Sequence, residues 1–223
     1  TDYEGFIERF GFSKAKDVYA YIIETAYFEK NVPPKVRRVA ELMQKRHNIV
    51  VRQLDMKHFD EETARIREIY NQAWRQNWGM IPIDREEFDN LAAELKKVVD
   101  PEFVMFAEAD GKPVAFTVVL PNVNEALARI NGRLFPFGLF KLLWHSRKIT
   151  SVRVMLMGII PEYRKVKGIA TMFYARMFEL CRQKGFTWGE QSWILEDNVD
   201  MIRYLEKVNA VRAKTYTIYD LEL

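Results

Sequence analysis

From Val152 to Ile160 the chain is almost continuously apolar, and Arg153 is the only charged residue in the run. A stretch of that length with no polar face reads as a strand covered on both sides. Such a strand needs helices above and below its sheet, which restricts the chain to a mixed α/β architecture. Pro161 ends the strand, a short loop carries Arg164, Lys165 and Lys167, and Gly168 stands where a helix from about Lys167 to Lys184 begins. Ile169, Met172, Phe173, Met177, Leu180 and Cys181 share one face of that helix. A helix start carries free N–H groups and a partial positive charge, so three cations there are unfavourable unless an anion lies between them. A glycine at that point also lets a phosphate approach the backbone. A solvated basic turn explains the loop less well once strand, loop and helix are taken together.

The flanking pattern is regular. Ile49–Leu54 reads as a strand, and Phe59–Gln76 follows as a helix with Ile66, Ile69, Tyr70 and Ala73 on its buried face. Asp84 with Glu87 three residues on marks a capped helix start, running to about Val98. Two strand-like runs, 103–108 and 113–120, flank Asp110-Gly111, the signature of a tight hairpin. Pro121–Lys148 reads as an irregular insertion with one or two short amphipathic helices. Thr187–Leu195 is a strand, Asn198–Lys207 a helix and Val211–Leu223 a last strand.

A faint repeat links the two ends. Gly11 aligned on Asn209 also aligns Glu8 with Glu206, Lys16 with Lys214 and Tyr21 with Tyr219. Each copy reads as a helix, a Gly or Asn stop, then a strand. Residues 1–25 are therefore expected to be the tail of a preceding, related unit. Residues 26–47 read as a linker, broken at Pro33-Pro34, with a short basic helix from Lys35 to Arg46. The main domain is expected over 48–223.

Composition narrows the function classes. With 48% apolar residues the chain can fill a core, and a formal net charge of +3 is weak for a general nucleic-acid binder. Lys35, Arg37 and Arg38 read as a solvated helix face. One cysteine, Cys181, forms no internal disulfide, and no Cys/His cluster has metal-ligand spacing, so no metal is expected. No run approaches the roughly 18 apolar residues of a membrane-spanning helix. No secretory signal opens the chain, which begins at Thr1. The expectation is a cytoplasmic protein, or part of one, without nucleic-acid or membrane partners; a homodimer is compatible.

The stretch Met157–Thr171 resembles the acyl-CoA-binding motif of the GNAT superfamily of N-acyltransferases, Arg/Gln-x-x-Gly-x-Gly/Ala after the fourth strand. Ser192-Trp-Ile-Leu-Glu-Asp-Asn198, followed by a helix, Asn209-Ala210 and a strand, resembles that superfamily's second signature. The likeness covers about Asn48 to Leu223, and the opening segment resembles the end of another GNAT-like unit. A little-characterised bacterial tandem GNAT-like group with a Ser-Trp-Ile-Leu-Glu-x-Asn stretch in its C-terminal half is also similar. The resemblance implies an α/β (α+β) fold with a mixed, mostly antiparallel twisted sheet and helices on both faces. It implies acetyl-CoA or another acyl-CoA as donor and a small-molecule amine as acceptor. Met157, Gly158 and Ile159, near a bulge, would pair with the pantetheine arm. Lys165, Val166, Lys167, Gly168, Ile169, Ala170 and Thr171 would hold the pyrophosphate. Asn198 would touch the cofactor arm, or cap the following helix.

Two departures stand out. The motif's Arg/Gln position is occupied by Lys165, with Arg164 one residue further back. The family's tyrosine, which protonates the departing thiolate, falls on Leu205, beside Tyr204; a one-residue shift turns a helical side chain by about 100°. Tyr204 is thus the substitute acid, and Glu190 the first candidate base, on a strand face with Trp188, Ser192 and Ile194. Ser192 lacks a His/Asp pattern, so a serine nucleophile is not expected. The apolar insertion Arg133–Trp144 would line an acceptor site or hold an acyl chain, or else form a dimer contact or a lid packed on the sheet. Direct acyl transfer to an amine is the leading reading. A non-catalytic acyl-CoA-binding or assembly module, a degenerate unit of a tandem protein, is the alternative.

Overall fold

The computed structural model describes residues 3–26, 33–96, 99–130, 135, 137–166 and 168–221. The chain opens with α1 (Tyr3–Arg9), β1 (Ser13–Glu24), α2 (Pro33–His47) and β2 (Ile49–Gln53). Then come α3 (Phe59–Trp74), α4 (Arg85–Leu95), β3 (Val104–Ala109) and β4 (Lys112–Pro121). Short α5 (Asn124–Leu127) and α6 (Gly138–Ser146) form the insertion before β5 (Ser151–Ile159). The rest is α7 (Ile169–Lys184), β6 (Trp188–Leu195), α8 (Val199–Lys207) and β7 (Val211–Asp220). Lys167, part of the expected phosphate loop, lies outside the described residues, as do Arg133 and Leu134.

Local chemistry sets the element ends. Asp84 accepts from Glu87 N at 2.8 Å and starts α4, which ends at Leu95, short of the expected Val98. Asp110 and Gly111 both have positive φ, as a primed hairpin turn demands. Gly11 and Asn209, the two stops of the faint repeat, also have positive φ, +106° and +63°. Pro33 and Pro34 open α2, where their missing N–H groups cost nothing.

One mixed sheet runs in the order β2-β3-β4-β5-β6-β1-β7, and all neighbours are antiparallel except β5–β6. The mostly antiparallel sheet expected from the sequence is therefore present. β1 is an interior strand of that sheet, registered on β6 on one side and β7 on the other. Its place is fixed by polar ties at the β6–α8 turn: Glu196 N donates to Asp17 O at 3.0 Å, Asp17 N donates to Glu196 Oε1 at 3.2 Å, and Lys16 pairs with Asp197 at 2.9 Å.

Two apolar layers sandwich the sheet. On one face Ile169, Phe173, Tyr174 and Leu180 of α7 and Leu205 of α8 cover Val152, Val154 and Ile194. On the other, Ile66 and Ile69 of α3 and Phe88 of α4 cover Phe106, Phe116 and Val118. Within α3, Glu62 is 1% exposed and accepts from Arg52 at 2.5 and 3.0 Å and also from Arg65. Burial would raise its carboxyl, but those guanidinium hydrogen bonds hold it below the usual range.

Candidate functional site

β5 and β6 pair only from Ser151↔Trp188 to Val154↔Gln191. Both strands run on, to Ile159 and Leu195, but part beyond that point. A bulge accompanies the parting: Val154 faces Val119 and Leu156 faces Val118, so Met155 is an extra residue. An inserted residue bends its strand and leaves local backbone groups unpaired. The bulge lies two residues before the expected Met157, and Met155 is 47% exposed. Cover on both faces of β5, expected from its apolar run, is thus fuller in the paired half and thinner where the strands separate, with Met155 exposed and Leu156, Met157 and Ile159 partly buried.

The parted strands leave a cleft whose α7 side is built from α7 and α8. Gly168 precedes α7 with φ +127°, and no side chain caps that helix. The N–H groups of Ile169, Ala170 and Thr171 therefore lack intrahelical partners. The Ile169 side chain is fully buried, Ala170 and Thr171 are half-buried, Val166 packs on the core and Lys165 is exposed. A Cβ on Gly168 would lie 2.8 Å from Met43 Cγ and 3.0 Å from Val39 Cγ1. Its missing side chain therefore makes room for α2.

Gly158 is also governed by packing. A Cβ there would meet Trp74 Cζ3 at 2.5 Å and Cη2 at 2.8 Å, on the α3 side of the sheet. Met157 and Ile159 face the α7 core instead. Arg164 is removed from the anion loop, because its guanidinium donates to Ala73 O at the C-terminal end of α3. Cations favour that helix end.

Tyr204 does not turn away from the core. Its ring stacks on Tyr174 with centroids 5.0 Å apart, while Leu205, fully buried, faces the sheet. Two neighbouring positions of α8 are therefore both internal, one against α7 and one in the core. The Tyr204 hydroxyl is buried with no well-aligned hydrogen-bond partner. Burial pushes it up to about 12, and the Thr171 hydroxyl near it, in the first turn of α7, acts weakly the other way. Tyr174 donates to Gln191 Oε1 at 2.5 Å, and burial raises its hydroxyl well above the ordinary value. Sequence reasoning missed this Tyr174–Gln191 pair, although Tyr174, Met177 and Cys181 follow helical spacing.

Glu190 faces the other way. Its Oε1 accepts from Ser192 Oγ at 2.7 Å and pairs with Arg153 at 3.2 Å, and Arg153 also donates to Ser192 at 3.0 Å. Both Glu190 contacts fall on Oε1. Val152 and Val154 point to α7 while Arg153 points away, so Glu190 and Tyr204 flank the cleft from opposite faces of the sheet. Asn198 caps α8, accepting from Met201 N at 3.3 Å. Among the described residues no group of three or more His, Cys, Asp or Glu could hold a metal ion. Nor is any described helix long and apolar enough to cross a membrane.

A parallel pair that parts at a bulge, in front of an uncapped helix, defines a known class, and the chain carries the fold of the GCN5-related N-acetyltransferases, or GNAT proteins. It superposes on such an enzyme from Sphaerobacter thermophilus with a TM-score of 0.66 and 15% identity, over 97% of this chain and 54% of that one. AAC(6')-Iy, solved with the bisubstrate analogue CoA-S-monomethyl-acetylneamine, matches at TM-score 0.50 and 13% identity over 78% of this chain and 99% of that one. In sequence, the chain is 36% identical over 97% of its length to a Caulobacter vibrioides protein named bacterial ceramide synthase. It is 33% identical over 99% of its length to protein YghO of Escherichia coli. The chain spans 57% of the length of each of these relatives. No protein-family model matches it.

Proposed function

We propose that the chain is an acyltransferase that moves an acyl group from acyl-CoA to an amine by direct attack. The observation that carries this reading is the buried Tyr204 hydroxyl, which has no well-aligned hydrogen-bond partner and lies near Thr171, at the cleft where β5 leaves β6. An unsatisfied buried hydroxyl costs about 1–3 kcal/mol, which a ligand atom accepting its proton would recover. The residues suit a CoA thioester. The released edge of β5, at Met155 to Ile159, offers backbone groups to the amides of a pantetheine arm. The uncapped start of α7, from Ile169 to Thr171, with Lys165 at hand, suits a pyrophosphate. The thioester supplies the activated acyl group.

Each side chain then has a role set by its surroundings. Tyr204, held neutral with a pKa near 12, lies above the ordinary thiol value of about 8.5, a gap worth about 5 kcal/mol. It therefore donates a hydrogen bond to sulfur as charge develops there, without surrendering its proton. Glu190 takes a proton from the amine through Oε2, while Arg153 and Ser192 hold Oε1. Asn198 positions α8, and hence Tyr204, by capping it. The name of the Caulobacter relative favours a particular acceptor. A ceramide is an N-acylated long-chain amino alcohol, so a lipid amine of that kind is the proposed substrate.

The Arg153–Glu190 ion pair gives the second reading its support, because a carboxylate already engaged by a guanidinium and a hydroxyl has a structural task of its own. On that reading the chain binds acyl-CoA without turning it over. Calorimetry with acetyl- to palmitoyl-CoA, together with thiol release over a panel of amines, separates the two. Donor binding with turnover, and turnover lost in Glu190→Gln at unchanged donor affinity, is the expected result. Binding without turnover leaves the second reading, and failure to bind any acyl-CoA overturns both. Lys165→Glu is the binding-site probe of choice, since a side chain at Gly168 would strike Met43.

A further inference from the structure

The insertion between β4 and β5 carries a dense block of uncovered apolar side chains. Phe135, Phe137, Leu139, Phe140, Leu143 and Trp144 are between 54% and 90% exposed. Isolated exposed apolar residues are ordinary, whereas a contiguous set marks an interaction surface. The set is not a lid on the sheet: α6 packs on α5, turning Leu142 and His145 inward. At about 100° per residue, Leu139, Leu143, Phe140 and Trp144 fall within one arc about 140° wide.

The charge along this stretch of the sequence has one sign. No Asp or Glu stands between Glu125 and Glu162, whereas Arg129, Arg133, Lys141, Arg147 and Lys148 do, besides Arg153, which is paired with Glu190. For a chain of net charge +3 this is a marked local excess. Glu125 is engaged inside the fold, accepting from Thr150 N at 3.0 Å and from the Ser151 hydroxyl. Lys141 lies beside one edge of the arc, and Lys148 Nζ sits 5.0 Å from the centre of the Trp144 ring. Long cationic side chains next to an indole suit a boundary that is apolar on one side and charged on the other.

We propose that α6, with Phe135 and Phe137 before it, forms an interfacial docking element for a lipid bilayer with anionic headgroups. The aromatic and leucine arc enters the boundary between headgroups and acyl chains, and Lys141, Arg147 and Lys148 meet the phosphates. Charge selects this occupant over a second copy of the chain. A two-fold contact would set the patch against itself and bring the same cations face to face. A helix lying in the interface needs one apolar face and no spanning length, so the lack of a long apolar run never bore on this surface. The proposal stands whether or not the acyl-transfer reading does.

Flotation with phosphatidylcholine vesicles, with and without phosphatidylglycerol, tests it. The expected result is binding to the anionic vesicles that weakens as salt rises. Lys141→Gln with Lys148→Gln should cost about fivefold in partition per charge removed. Phe140→Ser with Trp144→Ser should abolish binding and leave the melting temperature unchanged, because both side chains are exposed. The longest protein that contains this chain should lose vesicle binding with the same pair of changes. No binding to anionic vesicles, or binding that survives the Phe140 and Trp144 changes, would overturn the proposal. So would concentration-dependent self-association abolished by those changes, which would give the face to a second copy.

Discussion

Gly158 offers a sharp separation between packing and ligand binding, because the sequence motif assigns it to the donor while the structure turns its missing side chain toward α3. In Gly158→Ala the new Cβ would lie 2.5 and 2.8 Å from two ring atoms of Trp74 and 3.2 Å from the Ala73 methyl. Ordinary carbon–carbon contact is about 3.5–4.0 Å, so the ring must retreat by about 1 Å. It has little room to do so, since Trp74 is stacked on Tyr70 at 4.8 Å and tilted against Phe116 at 6.0 Å. Overpacking of this kind costs about 1–3 kcal/mol. Taking about 2 kcal/mol, the melting temperature of a chain this size should fall by about 4–8 °C. Urea unfolding of Gly158→Ala, Trp74→Phe and the double variant completes a cycle. Shrinking the ring should relieve the clash, giving a favourable coupling of about 1–2 kcal/mol. Acyl-CoA affinity, measured by calorimetry on folded protein, should stay within about threefold of wild type. Unchanged stability with lost acyl-CoA binding would refute the packing argument and return Gly158 to the donor site.

Other perturbations test the remaining pieces. Tyr204→Phe removes an unpartnered buried hydroxyl and should be neutral or up to about 1 kcal/mol stabilising in urea, while lowering kcat by about tenfold to a hundredfold; marked destabilisation would mean the hydroxyl has a partner in solution. Alkaline pH should unfold the protein: burial pushes Cys181 and Tyr204 up to about 12, so folded chains hold protons that unfolded chains release. That stability is complete below about pH 9 for the thiol and pH 10 for the phenol, and is lost as pH rises toward 12, by up to about 4 kcal/mol for the thiol and about 3 kcal/mol for the phenol; a urea midpoint flat from pH 9 to 11 would count against their burial. Glu62→Gln leaves Arg52 and Arg65 without their buried carboxylate and should cost about 2–4 kcal/mol, read from the same unfolding curves.

Most of the element order was legible in the residues because it depends on local free energies. A capping carboxylate, a glycine or asparagine stop and a hydrophobic period act over a few residues, so Asp84, Gly11, Asn209 and the face of α7 could be read from spacing. The donor-site residues were legible only as a stretch. Spacing put Arg164 among the phosphate cations, but it could not show a carbonyl of α3 waiting for that guanidinium. Counting along α8 set Tyr204 a residue out of place, and only the packing of α8 against α7 brings its ring inside against Tyr174.

The sequence by itself determined which segments become strands and helices, that the sheet is mixed, and where glycine or proline is required. Tertiary structure decided which segments become neighbours. β1 enters the sheet between β6 and β7, although most of the chain separates it from both. The β5–β6 pair opens after Val154, and Glu190 is handed to Arg153. These outcomes come from contacts between residues far apart in the chain, where pairing and burial energies outweigh the cost of closing long loops. No local pattern encodes that balance, and in this protein the cleft is made from it.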